Sequence, residues 1–288
     1  MPTTAPTRIE RIEGTVMPVN SYIIEGPDGL VIIDGQLTVS DGRAVRSAVD
    51  GFDRPVAGLV VTHGHPDHYA GAATILDGLS APIVSTSSVA DIVARDDEEK
   101  DGIVGPMMGP EWPTTRRFPD EIVRSGHSVE LGGLTFDVRA LGPGESDHDT
   151  LWTIGDDIVF SGDIAYNDMH PYLLDGHFDE WIALLDQLSG EISTSARMYV
   201  GHGDPTDTSV LARQKTYVEA FLEVVSDNLD VTEAERHDAV VAAMRDLASD
   251  DRSLFLMELS IEPAASILSG ERTTTVSAPG GTRGPDRR

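Results

Sequence analysis

The residues with the most obvious chemistry lie in Thr62-His63-Gly64-His65-Pro66-Asp67-His68, directly after the apolar run Gly58-Leu59-Val60-Val61. A buried strand ending in three histidines and an aspartate, with glycine and proline fixing the turn, reads as a metal site on a strand-to-loop edge. His63 and His65 are two apart, so in extended chain both rings point the same way and can clamp one cation. Asp67 and His68 follow a proline-forced bend, where they can face a second. Imidazole and carboxylate are ligand types that borderline cations such as Zn²⁺ accept. With no cysteine in the chain, every ligand must be histidine or oxygen, and disulfides and thiol nucleophiles are excluded.

Three later loops also follow short apolar runs and carry ligand types: Glu145 or His148 in Gly142-Pro143-Gly144-Glu145-Ser146-Asp147-His148-Asp149, Asp163 in Ser161-Gly162-Asp163, and His202 in Gly201-His202-Gly203. Together with the first cluster they can converge on one sheet edge. Tyr166, Asn167 and His170 come just after Asp163, where a hydroxyl or imidazole can hydrogen-bond an oxyanion or a leaving group. Tyr166 and His170 therefore join Asp67, a candidate proton acceptor, as candidate catalytic groups. His127, His177 and His237 fall outside any ligand pattern, and Trp152 and Trp181 read as core. No G-x-S-x-G elbow occurs, so Ser-His-Asp chemistry is unsupported.

The elements that must position these side chains can be read from apolar period and turn chemistry. Residues 16–25 and 30–34, parted by Gly26-Pro27-Asp28-Gly29, predict a hairpin, and 39–49 a helix. A strand over 56–62 delivers the histidines, a helix over 69–79 returns, and a strand over 82–86 and helix over 87–95 follow. Residues 96–119 lose periodicity, which predicts a long irregular segment that could act as a lid, with Met107, Met108 and Trp112 as apolar substrate contacts. Strands over 128–131 and 134–141 flank Gly132-Gly133, and a second hairpin runs over 150–154 and 158–160. A helix over 178–188 and a strand over 198–200 precede helices at 209–225, 232–247 and 253–268. Two similar halves suggest two sheets packed face to face with helices outside, an α/β architecture. Residues 1–269 read as a single domain, with helices of 206–269 packing on it. Residues 270–288 read as a disordered tail.

The 288 residues are 40% hydrophobic, ample for a real core. Against 49 acidic residues stand 21 basic ones, a formal charge of −28. Such a field repels phosphate backbones, so nucleic acid is excluded as an expected partner; acid-rich, lysine-poor composition also fits a high-salt interior. No 18-residue apolar run and no apolar leader occur, so a cytoplasmic chain with a small-molecule substrate and no membrane partner is expected. The late helices could form a homodimer face.

The motif H-x-H-x-D-H at His63 to His68, the loop 142–150, the strand-ending Gly162-Asp163 and the late Gly201-His202 resemble the metallo-β-lactamase superfamily, from about residue 14 to residue 225. Val19-Asn20-Ser21-Tyr22 and Ile32-Ile33-Asp34 also look like the opening of that fold, with Asp34 as an anchor beneath the histidines. The resemblance, nearest the glyoxalase II and lactonase branch, implies a four-layer αββα sandwich with a one- or two-metal site. It implies that His63 and His65 hold one metal, that Asp67, His68 and His202 hold a second, and that Asp163 bridges. Where the family expects histidine, the register of Ser146, Asp149 and Thr150 places Glu145, with His148 as the rival. Such a glutamate resembles the alkylsulfatase branch, whose chains are longer. The implied cofactor is Zn²⁺, two per chain, with Mn²⁺ or Fe²⁺ as alternatives. The implied activity is hydrolysis of an ester, lactone, thioester or amide by metal-bound hydroxide. A mononuclear-iron oxidoreductase of thiols or persulfides, and a true β-lactamase, are the alternatives.

Overall fold

A computed structural model describes residues 5–270. Its apolar strands divide their side chains between two faces. Along β3 (Leu30–Ile33), Leu30 and Ile32 join one buried cluster, and Val31 and Ile33 another, the two-residue period of extended chain. The same division parts Ile23 from Tyr22 and Ile24 in β2 (Asn20–Glu25), and Leu59 from Val60 in β4 (Val56–Val60). Strands apolar on both faces need cover on both.

With β1 (Arg8–Glu13), β5 (Ile83–Thr86) and β6 (Glu121–Val123), these strands form a sheet ordered β1-β2-β3-β4-β5-β6. It is antiparallel from β1 to β3 and parallel from β3 to β6. The second sheet joins β7 (His127–Leu131), β8 (Leu134–Gly142), β9 (Asp149–Ile154), β10 (Ile158–Tyr166), β11 (Arg197–His202) and β12 (Thr206–Asp207) in the order β12-β11-β10-β9-β8-β7. There β10 and β11 run parallel and the other neighbours antiparallel.

Tyr22, Ile33 and Val60 of the first sheet meet Phe136, Trp152 and Phe160 of the second in a shared core. Outside the first sheet lie α1 (Val39–Asp50), the short helices α2 (Pro66–Tyr69) and α3 (Ala72–Ile75), and α4 (Ser87–Met108). Outside the second lie α5 (Phe178–Glu191), α6 (Ser209–Asp227), α7 (Glu233–Met244) and α8 (Leu254–Leu268). The αββα sandwich is the architecture expected of the sequence. No described helix is long and apolar enough to cross a membrane.

The irregular segment expected over 96–119 is instead largely helix: α4 continues to Met108, and a 3₁₀ turn follows at Gly109–Glu111. Its charge run continues a helix whose first turns bury Val89, Ile92 and Val93, and Asp97 within the run is itself buried, accepting from Tyr69 and Arg116. Trp112 folds back beneath it, 5% exposed, beside Leu37, Ala70 and Met108, and its Nε1 donates to Asp101 Oδ1 at 2.7 Å. Met108 and Trp112 are thus packing residues, and Met107 is exposed. The helix expected over 69–79 is broken at Gly71, whose backbone N–H donates to the Gln36 carbonyl oxygen at 2.9 Å, in an approach so close that a Cβ would come within 2.5 Å of the Gly35 carbonyl oxygen. Strands β1 and β6, unforeseen in the sequence, are the edges of their sheet, where one-sided burial leaves little apolar pattern. The tail expected over 270–288 lies outside the described residues apart from Gly270.

Trp152 is fully buried between the sheets, edge-on to Phe136 with centroids 6.3 Å apart, and its Nε1 donates to Thr150 Oγ1 at 3.0 Å. Trp152→Ala is expected to destabilise by about 3–5 kcal/mol, read as a lowered urea midpoint; a loss under about 1 kcal/mol would contradict this packing.

Candidate metal centre

The centre is held from below by Asp34, which directly follows β3 with φ of 62°, a left-handed conformation that aspartate tolerates better than most residues. Its Oδ1 accepts from the Thr62 backbone N–H at 2.9 Å, and its Oδ2 lies 2.9 Å from His68 Nδ1. Thr62 Oγ1 donates to the same carboxylate and lies 3.1 Å from His63 Nδ1. Since that hydroxyl has given its one proton to Asp34, it accepts from His63 Nδ1–H, leaving the His63 Nε2 lone pair free. His202 Nδ1 donates to the Pro18 carbonyl oxygen at 2.9 Å, which fixes the ring with its other nitrogen toward the centre. His63, His68 and His202 thus all turn Nε2 inward, each ring oriented by an acceptor on its other nitrogen.

The second sheet supplies the carboxylates. Asp149 accepts from Ser146 N at 3.0 Å and Ser146 Oγ at 3.1 Å, pinning the turn that presents Glu145. Asp163 stands in β10, and the neighbouring β11 passes it with Gly201, where any Cβ would overlap Asp163 Oδ1. The two sheets are tied at this end by a bridge between Val19 and His202, and by Asn20 Nδ2 donating to the Val200 and Gly203 carbonyls at 2.9 and 2.7 Å.

Two groups result, each with ligand atoms within 4.8 Å of one another: Asp67, His68, Asp163 and His202, and His63, His65 and Glu145. Asp163 Oδ2 stands between them, 3.1 Å from His202 Nε2, 3.3 Å from His68 Nε2 and 3.9 Å from His63 Nε2. His65 turns the other way round, with Nδ1 3.1 Å from Glu145 Oε2 and Nε2 3.1 Å from Asp175 Oδ2. Tyr166 stacks on His202, and its hydroxyl lies 3.0 Å from Glu145 Oε1 and 2.7 Å from Asp163 Oδ2.

The electrostatics favour positive charge at this point. Burial opposes charge on His68, but Asp163, Asp34 and Asp67 outweigh it and hold the imidazole well above its ordinary range. Burial likewise opposes charge on His202, which Asp163 and Asp67 nevertheless push up to about 10. Glu145 is pushed up to about 8 by burial, only partly offset by His65. His63 is held well below the usual range by burial and by its His68 neighbour. His63 Nε2, His68 Nε2, Glu145 Oε2 and Asp163 Oδ1 are buried without hydrogen-bond partners, a costly state for polar atoms in a protein interior. Unpartnered donor atoms aimed inward from histidine and carboxylate fit divalent cations.

Seven of the residues singled out in the sequence, His63, His65, Asp67, His68, Glu145, Asp163 and His202, are thus brought together, and Tyr166 with them. His148 belongs to neither group: the turn pinned by Asp149 points Glu145 inward three residues earlier. His170, a candidate catalytic residue in the sequence, is placed elsewhere. Its Nδ1 lies 2.6 Å from the Tyr217 hydroxyl and its Nε2 3.8 Å from Asp251, so its partners lie on α6 and before α8. Asn167 faces Asp204 and Arg213 at the surface. Asp175, and Tyr172 edge-on to His65 at 5.1 Å, gave no sign in the sequence, since a loop conformation alone brings them to the site.

The profile of the Metallo-beta-lactamase superfamily matches residues 14–231. The chain is 38% identical over 65 residues to an (R)-specific secondary-alkylsulfatase of a Pseudomonas species, a match covering 21% of this chain and 9% of that protein. It is 23% identical over 197 residues to a probable metallo-hydrolase of Streptococcus pyogenes, covering 65% of this chain and 80% of that one. A metallo-beta-lactamase family protein from Thermus thermophilus shares the fold, with TM-score 0.66 at 18% identity over 92% of this chain and 93% of that one. The profile spans most of the chain, and its fold and clustered histidines and carboxylates agree: the chain belongs to the metallo-beta-lactamase superfamily.

Proposed function

We propose that the protein is a binuclear metal-dependent hydrolase of an ester, lactone, thioester or amide bond in a small molecule. The observation that carries this reading is the placing of Asp163 Oδ2 between the two ligand groups, within 3.9 Å of three inward-facing Nε2 atoms. His63, His65 and Glu145 would hold one cation, and Asp67, His68 and His202 the other, with Asp163 shared. The donors suit Zn²⁺, and the three carboxylates also suit Mn²⁺ or Fe²⁺.

When bound, such cations lower the pKa of coordinated water to near 7 and polarise the oxygen under attack. The protein's own part is orientation and proton placement. Asp34, Thr62 and the Pro18 carbonyl fix the imidazole tautomers. Burial, with Asp163 and Glu145 close by, keeps the Tyr166 phenol far above its usual range, so at neutral pH it remains a donor, able to hydrogen-bond a developing oxyanion or a leaving group. Asp67 keeps 13% side-chain exposure, at the open side of the centre.

A sulfate ester is the second reading. Glutamate in the place expected of histidine resembles the alkylsulfatase branch, and the short identity with an alkylsulfatase supports the same substrate class.

Metal analysis of the purified protein is expected to give two cations per chain, fewer in Glu145→Ala, and the wild-type number in His148→Ala; loss in the His148 variant alone would contradict the ligand set. Because His68 and His202 are held protonated without metal, loading must displace protons. Calorimetry in buffers of different ionisation enthalpy should show proton release at pH 7 and weaker affinity as pH falls; pH-independent affinity would oppose this. Tyr166→Phe is expected to keep its metal and lose about 10²-fold in kcat, and an unchanged kcat would remove Tyr166 from the reaction.

A further inference from the structure

The ligand groups are closed on most sides. The side chains of His63, His68, Glu145, Asp163 and His202 are 0–2% exposed, whereas His65 and Asp67 retain 11% and 13%. On the His65 side opens a cleft of about 190 Å³ whose lining includes Gly64, Arg95, Lys100, Asp147 and Asp175. This is where α4, rather than a flexible lid, reaches the site.

The charges in that lining are satisfied with one exception. Arg95 binds Asp96 at 2.5 Å and Asp147 at 2.6 Å. Asp147 is also held by His177 Nε2 at 2.9 Å, and Asp175 by His65 at 3.1 Å. Lys100 makes no hydrogen bond or ion pair with any described residue and acts on Asp175 only through space. The chain's other lysine, Lys215, sits 2.6 Å from Asp186 and 3.8 Å from Glu219. An unpaired ammonium facing the cleft is unexpected in a chain with 49 acidic residues to 21 basic. The general field repels anions, so a local cation has the most to contribute where an anionic group must come close.

We propose that Lys100 recognises an oxyanion, a carboxylate or a sulfate, carried by the substrate beside the bond that is cleaved. This rests on the hydrolase reading, and it assigns substrate choice to α4. A lysine suits the task because its compact ammonium pairs as a point charge with either oxyanion.

The test uses the metal-loaded full chain, with Lys100→Ala, Lys100→Arg and, as control, Lys215→Ala. Benzoate, benzenesulfonate (a non-hydrolysable stand-in for a sulfate) and neutral benzamide are measured as equilibrium ligands. Phenyl acetate and 4-acetoxybenzoate serve as a matched ester pair. Lys100→Ala is expected to weaken benzoate or benzenesulfonate about tenfold, to leave benzamide unaffected and to lower the preference for 4-acetoxybenzoate over phenyl acetate by a similar factor. Lys100→Arg restores part of the loss and Lys215→Ala changes neither readout. Whichever anion loses affinity names the group recognised. Equal affinities for both anions in wild type and Lys100→Ala overturn the proposal. Lys100-dependent anion binding without turnover of any ester overturns the ester-hydrolase reading and leaves the Lys100 assignment standing.

Discussion

Burying Asp67, Glu145 and Asp163 in one centre is a constraint that hydrogen bonds alone do not relieve, because like charges in a low-dielectric interior repel strongly. Without cations the protein answers by protonation: Glu145 is pushed up to about 8, and His202 to about 10. Protons then stand where, on the proposed reading, two metal ions would. The fold around the centre is arranged so that this positive charge has a fixed address.

That arrangement depends on backbone geometry as much as on ligands. Asp34 in a left-handed conformation reaches both Thr62 and His68, so the end of β3 sets the angle at which the histidines leave β4. Gly201 gives Asp163 the room that any side chain would take. Asn20 spans from the first sheet to the carbonyls at the end of β11, and thereby couples sandwich packing to ligand spacing. A shift of either sheet against the other would separate the groups that Asp163 now joins.

Much of this was legible in the sequence. The H-x-H-x-D-H spacing, the strand-ending Gly162-Asp163 and Gly201-His202 each carry their meaning within a few residues, and alternation in runs such as Leu30 to Ile33 is a local signal. The register of Ser146, Asp149 and Thr150 favours Glu145 over His148 as a candidate ligand, and the Asp149 hydrogen bonds hold the turn on which Glu145 faces His65. Long-range contacts were not legible. The charged stretch after Arg95 looks irregular until Val89, Ile92 and Val93 are seen beneath it and Trp112 and Arg116 fold back on Asp101 and Asp97. His170 looked catalytic by its closeness to Asp163 in the chain, yet the path of the 167–177 loop carries it to Tyr217. The same loop returns Asp175 to His65, which no spacing rule foretells.

The centre therefore joins candidate ligands read from short motifs to a cleft whose character comes from tertiary packing, with α4 supplying Arg95 and Lys100 at its rim. The most direct test of the central claim is anomalous diffraction from crystals of the metal-loaded protein, recorded on both sides of the metal absorption edge. The account predicts two peaks, flanking the Asp163 carboxylate and reached by the Nε2 atoms of His63 on one side and of His68 and His202 on the other. Metal bound elsewhere, with no anomalous density beside Asp163, would contradict it.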